Sequence, residues 1–129
     1  MQPFSLFSLG GVLLVSVEED IDDAGIRELL ARVSSRVSRE AISGVIVDLH
    51  HFEVLDSHLA RQLQALARVL HLLQARMVVV GLCVPVVMTL LDFGITLPEM
   101  EFALDVEQAL VRLHESGPQA PGPDAGGLS

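Results

Sequence analysis

The chain has no tryptophan, no tyrosine and only five phenylalanines among its 129 residues. Few aromatic faces are available for stacking bases or sugars, and a core must be built from Leu, Val, Ile and Ala. Cys83 is the single cysteine, which excludes an internal disulfide and a cysteine-built metal site. Cations are scarce: eight Lys and Arg stand against seventeen Asp and Glu, a net charge of −9. A surface that acidic repels phosphate backbones and anionic membranes, so no nucleic acid and no membrane is expected as a partner, and basic partners are favoured. No apolar run approaches the roughly 18–20 residues that cross a bilayer. The longest, Met77 to Leu91, is interrupted by Gly81 and Pro85. The N-terminus lacks the basic region of a signal peptide. A cytoplasmic protein is expected.

Half of the residues are hydrophobic, enough for one core, and the length suits one domain. Phe4 to Leu9 and Val12 to Val17 flank Gly10-Gly11 and read as a hairpin, because glycine accepts the positive φ of a tight turn. Ile26, Leu29, Leu30, Val33 and Val37 recur at helical spacing and predict a helix from about Asp22 to Arg39. Gly44 to Leu49 is nearly all apolar and β-branched, the pattern of a strand buried on both faces. Leu59, Leu63, Leu66, Leu70 and Leu73 form the cleanest helical stripe. Met77 to Val80 is another buried strand, closed by Gly81. Pro85 suits the first turn of a third helix, with Gly94 as its stop. Glu101 to Leu104 reads as a short edge strand. Asp105 with Gln108 resembles a capping box for a last helix through Leu113. Buried strands alternating with helices imply an α/β fold: a single mixed, mostly parallel sheet of about five strands with four helices and right-handed crossovers. From Ser116 to Ser129 the chain is rich in Pro and Gly and too poor in apolar surface to order itself, so residues 116–129 are expected to be a flexible tail after a domain over residues 1–115.

The richest segment for function runs from Val45 to Leu59. A strand leads into a polar loop that closes on Asp56-Ser57, where the leucine-striped helix begins. Ser57 can serve as the helix N-cap, and its hydroxyl can also be offered to a kinase. Asp56 can orient that hydroxyl, help hold a metal bound by the kinase, or be a solvated turn residue. Asp48, at the strand end, fits a loop-fixing hydrogen-bond acceptor. His50, His51 and His58 beside Asp56 and Ser57 invite a Ser-His-Asp hydrolase reading. Sequence neighbours in one loop rarely orient into a triad, and the Gly-x-Ser-x-Gly elbow is absent. A histidine metal site lacks a further spaced ligand set. Cys83 reads as a small buried filler.

Several of these pieces together resemble the STAS domain family of bacterial anti-sigma-factor antagonists. They are the strand Val45-Ile46-Val47-Asp48, the dipeptide Asp56-Ser57 at a helix start, and Val78-Val79-Val80-Gly81 followed by Pro85. The stretch from Thr89 through Asp92-Phe93-Gly94 to Ile95-Thr96-Leu97 is similar to the stressosome branch of that family. The resemblance covers about residues 4 to 114. It implies a non-enzymatic antagonist or stressosome scaffold without a cofactor, phosphorylated at Ser57 by a partner switch serine/threonine kinase. It places Asp48, Asp56, Ser57 and His58 at the partner-binding corner and makes Thr89 a candidate second phosphorylation site. It also implies homologous STAS sensor subunits as partners in a large assembly, hence a homo- or hetero-oligomer. The three crowded histidines depart from the family pattern. The rival readings are a ligand- or nucleotide-binding STAS module and, further off, a small serine hydrolase.

Overall fold

The computed structural model describes residues 2–94 and 100–116. The Pro/Gly-rich stretch from 117 onward, and Ile95, Thr96 and Leu97 of the family-like stretch, lie outside the described residues. The elements in order are β1 (Phe4–Leu9), β2 (Val12–Val17), α1 (Asp23–Arg39), β3 (Gly44–Asp48), α2 (Ser57–Leu72), β4 (Arg76–Val80), α3 (Val84–Asp92), β5 (Met100–Phe102) and α4 (Val106–Ser116). The strands form one sheet in sequential order. β1 pairs antiparallel with β2, and every later pair is parallel. The mixed, mostly parallel sheet with four helices expected from the sequence is present.

Sequential order explains the layering. Parallel connections of one hand place their helices on one face, so α1, α2 and α3 share a face. There Val45, Val47, Met77 and Val79 meet Leu29, Val33, Leu63, Leu66, Val86 and Leu90 in the main core. The opposite face receives Ile46, Val78 and Val80, which pack with Ala109 of α4. Alternate residues of β3 and β4 are thus buried on opposite sides, and this is why both strands read as unbroken apolar runs.

The boundaries have local causes. Gly10 and Gly11 turn the hairpin at φ of 54° and 84°. Asp22 caps α1 by accepting the Gly25 N–H at 2.8 Å. Pro85 lies in the first turn of α3, and Gly94, at φ 69°, follows its end. Asp105 Oδ1 accepts the Gln108 N–H at 2.9 Å, while Gln108 Oε1 accepts the Leu104 N–H at 3.3 Å. The expected pairing of Asp105 with Gln108 is present, one residue wider on its return bond. Cys83 corrects its expectation: it is half-buried, stands at the N-cap of α3, and turns its sulfur to the Phe52 carbonyl at 3.6 Å.

The short β5 is pinned by a bidentate ion pair. Arg76 Nε and Nη2 reach the two carboxylate oxygens of Glu101 at 2.8 and 2.7 Å. That pairing holds the Arg76 guanidinium above its ordinary pKa, outweighing the opposite effect of its partial burial. All four parallel strands end at one edge, so the loops after β2, β3 and β4 gather there. This is the edge where open α/β sheets place their sites.

Gly81 is required at that edge. Its φ is +77°, and a Cβ there would stand 2.7 Å from Asp48 Oδ1 and 3.0 Å from the His50 Cα. Gly81→Ala is expected to destabilise the fold by about 2 kcal/mol or more, combining backbone strain with a clash against main chain. Urea unfolding measures it, and a loss below about 0.5 kcal/mol would contradict this packing.

Candidate functional site

The β3–α2 connection is built around Asp48, the last residue of β3. Its Oδ1 accepts the His50 N–H at 3.0 Å and lies 2.9 Å from His50 Nδ1. Asp48 therefore fixes the first turn of the loop, as its position at a strand end led one to expect. The Leu49 N–H donates to the Val80 carbonyl at 3.0 Å, which ties the loop base to β4. Leu49, Phe52 and Leu55 are buried and anchor the loop from beneath. Their polar neighbours are forced outward.

The loop ends on Asp56, which is the N-cap of α2. Its Oδ1 accepts the Leu59 N–H at 2.8 Å, with φ −83° and ψ 166°. This revises the expected capping role of Ser57. Ser57 is the first helical residue, one position past the cap, and its side chain is exposed. Among the described residues its hydroxyl has no hydrogen-bond partner. The signal was present in the spacing. Asp56 lies three residues before the first stripe leucine, Leu59, and three residues is the reach of a capping carboxylate.

The three histidines do not converge on Ser57. His50 turns to Asp48. His51 Nε2 lies 3.9 Å from Glu18 Oε2, in the β2–α1 connection. His58 Nε2 lies 3.2 Å from Asp23 Oδ1, at the start of α1. The rings of His50 and His51 are 3.8 Å apart between centroids. Each imidazole thus faces a carboxylate, and two of the three tie the loop to its neighbour. The Glu53 N–H adds a bond to Glu19 Oε2 at 3.2 Å. Among the described residues no group of three or more His, Cys, Asp and Glu is placed to hold a metal.

An open pocket of about 600 Å³ lies beside the loop, lined by Gln2, Pro3, Glu18, Glu19, Asp20, Asp22 and His51. Four carboxylates in that lining oppose an anion such as a nucleotide. On the other side, the sulfur of Cys83 against Phe52 brings the start of α3 next to the loop. Val54 and Val84 there are 73% and 74% exposed. Val87, Met88 and Leu91 continue an exposed apolar stripe along α3. Thr89 lies on the same helix, and its Oγ1 donates to the Pro85 carbonyl at 2.9 Å, the usual bond of a hydroxyl inside a helix.

Sequence reasoning missed the cap at Asp56, the acid partner of each histidine and the Arg76–Glu101 pair. His50 and Asp48 are two residues apart, but His51–Glu18, His58–Asp23 and Arg76–Glu101 join residues far apart in the chain and leave no local pattern. Among the described residues no helix is long and apolar enough to cross a membrane.

Comparison with known proteins agrees with this geometry. The family model described as the STAS domain matches residues 7–109. A serine-to-glutamate variant of RsbS from Moorella thermoacetica superposes with a TM-score of 0.78 at 24% identity, over 86% of this chain and 94% of that one. A chain of the stressosome, described as a signal integration and transduction hub, gives a TM-score of 0.77 at 25% identity, over 86% and 96%. The anti-sigma factor antagonist SpoIIAA in its unphosphorylated form gives 0.72 at 18%, over 87% and 96%. Its phosphorylated form, from Bacillus, gives 0.66 at 17%, over 85% and 98%. No curated protein sequence matches the chain significantly.

The division of labour at the corner is open to direct measurement. Asp56→Ala removes the cap and is expected to cost about 1 kcal/mol. Ser57→Ala removes an unbonded, exposed hydroxyl and is expected to stay within about 0.5 kcal/mol of the parent. Chemical denaturation of the two variants checks this, and equal losses would contradict the assignment of the cap.

Proposed function

The chain belongs to the STAS domain family, and on that premise we propose that it is a non-enzymatic, phosphorylation-controlled binding protein of the anti-sigma-factor-antagonist and stressosome type. Ser57 is the residue modified. The observation that supports this best is the state of its hydroxyl: exposed, unbonded among the described residues, and one position beyond a cap that Asp56 already supplies. A kinase can take such a hydroxyl without dismantling the helix start. The transfer moves the terminal phosphoryl group of ATP to Ser57 Oγ, the hydroxyl proton passes to the kinase, and ADP leaves. ATP and the catalytic groups belong to the partner, and this chain needs no cofactor.

Two relatives support the reading by their chemistry. The RsbS variant replaces a serine with an acid, and SpoIIAA exists in both phosphorylated and unphosphorylated forms. In the same reading homologous STAS subunits join this chain in an assembly in the cytoplasm. Val54, Val84 and the α3 stripe offer exposed apolar side chains where the start of α3 meets the loop that leads to Ser57, and exposed apolar surface of this kind marks protein–protein contact. Asp48, Asp56 and His58 shape the polar side of the same corner. Thr89 is the secondary site of the proposal, behind Ser57, because its hydroxyl is spent on Pro85.

Phosphorylation adds about −1.5 to −2 charge at neutral pH. It falls beside Asp56 and close to Asp23, which meets the neighbouring His58, on a chain of net charge −9. A partner seated over Ser57 loses a hydroxyl contact and meets new repulsion, enough to lower affinity roughly tenfold to hundredfold without a change of fold. The ligand-binding alternative is disfavoured by the acid lining of the adjacent pocket. The hydrolase alternative is disfavoured because His50, His51 and His58 each face a carboxylate rather than Ser57.

The test is incubation with the cognate switch kinase and ATP, followed by mass mapping. One phosphate is expected on Ser57 and none on the Ser57→Ala variant, and Ser57→Asp is expected to bind the kinase roughly tenfold to hundredfold more weakly. A phosphate elsewhere, or none, would overturn the reading.

A further inference from the structure

Three polar side chains with ionisable groups stand near Ser57 on its own segment: Asp56, His58 and Arg61. Two of them are engaged. Asp56 Oδ1 holds the Leu59 N–H at 2.8 Å, and His58 Nε2 lies 3.2 Å from Asp23 Oδ1. Arg61 differs from both. It is exposed, and among the described residues it enters no ion pair. Arg32, Arg36 and Arg76, by contrast, hold Glu28, Glu40 and Glu101. Ser57 and Arg61 lie four residues apart on one helix. Side chains at that spacing lie one above the other, with Cβ atoms about 5–6 Å apart, and an anion placed N-terminal to a cation is the favourable order.

We infer that Arg61 is the internal partner of a phosphate on Ser57. The inference rests on the proposed modification of Ser57 and concerns what the phosphate does once it is there. Without the phosphate, the corner presents a hydroxyl and a free guanidinium. With it, the planar guanidinium fork meets strong acceptor oxygens in charge-assisted hydrogen bonds. Modification then changes the docking surface twice: it adds negative charge, and it withdraws a cation that a partner's carboxylate would otherwise meet. His58 is poorly placed to compete for the phosphate, since it would have to leave Asp23, and Asp56, an acid, repels it.

The test uses the full chain with phosphoserine installed at position 57 during synthesis, so it does not depend on any kinase. The ³¹P resonance is titrated from about pH 5 to pH 8, around the second ionisation of a phosphoserine. An adjacent cation favours the dianion and lowers the midpoint. The midpoint is expected to rise by about 0.3 unit in Arg61→Gln, roughly a twofold change in proton affinity. Arg61→Lys should recover part of that shift, and added salt should shrink the difference. Identical midpoints in the parent and Arg61→Gln would overturn the pairing. That failure would leave Ser57 phosphorylation standing, whereas absence of kinase modification at Ser57 would overturn the proposed function instead.

Discussion

One hydrogen bond organises the functional corner: the Asp56 carboxylate accepting the Leu59 N–H at 2.8 Å. A helix start leaves several N–H groups without partners, and some side chain or solvent must answer them. Because Asp56 does so, Ser57 is relieved of the task. Its hydroxyl lies in the first turn and, among the described residues, has no hydrogen-bond partner. Had the cap fallen one residue later, the same hydroxyl would have been turned into the helix and bound to the backbone. The loop before it repeats the arrangement on a smaller scale, with Asp48 holding the His50 N–H. Both acids spend an oxygen on the backbone, and so fix the two ends of the segment between them locally.

The rest of the fold delivers this corner to the surface. Sequential parallel strands bring three loops to one edge of the sheet. Leu49, Phe52 and Leu55 sink into the core beneath the loop. Gly81 leaves the space that Asp48 and His50 fill. His51 then ties the loop outward to the β2–α1 connection through Glu18, and His58 ties the start of α2 to the start of α1 through Asp23. The corner is therefore held from below by packing and from the side by polar contacts, with Ser57 left outside both.

Much of this was legible in the residues. β3 and β4 announced themselves because burial on both faces demands an unbroken apolar run, and α2 did so through its leucine stripe. Pro85, Gly94 and Asp105 marked helix ends by local backbone chemistry. The resemblance to the STAS family rested on the same pieces, and the family match over residues 7–109 agrees with it. Less visible were features that depend on a choice between neighbours or on distance in the chain. Asp56 and Ser57 are both good caps, and beyond the three-residue spacing from Asp56 to Leu59 it is the geometry that shows which one closes the helix. The pairs His51–Glu18, His58–Asp23 and Arg76–Glu101 join segments that no periodicity links. The half-buried state of Cys83 likewise follows from where the loop at Phe52 lies, a tertiary fact.

Amide hydrogen exchange at Leu59 tests the central claim most directly, because that N–H is the donor in question. With Asp56 as the cap, exchange of this amide accelerates when Asp56 is replaced by alanine and stays unchanged when Ser57 is. The reverse pattern, with Leu59 protected by the Ser57 hydroxyl, would mean that the serine is occupied by its own helix, and the account of a free phosphate acceptor would be contradicted.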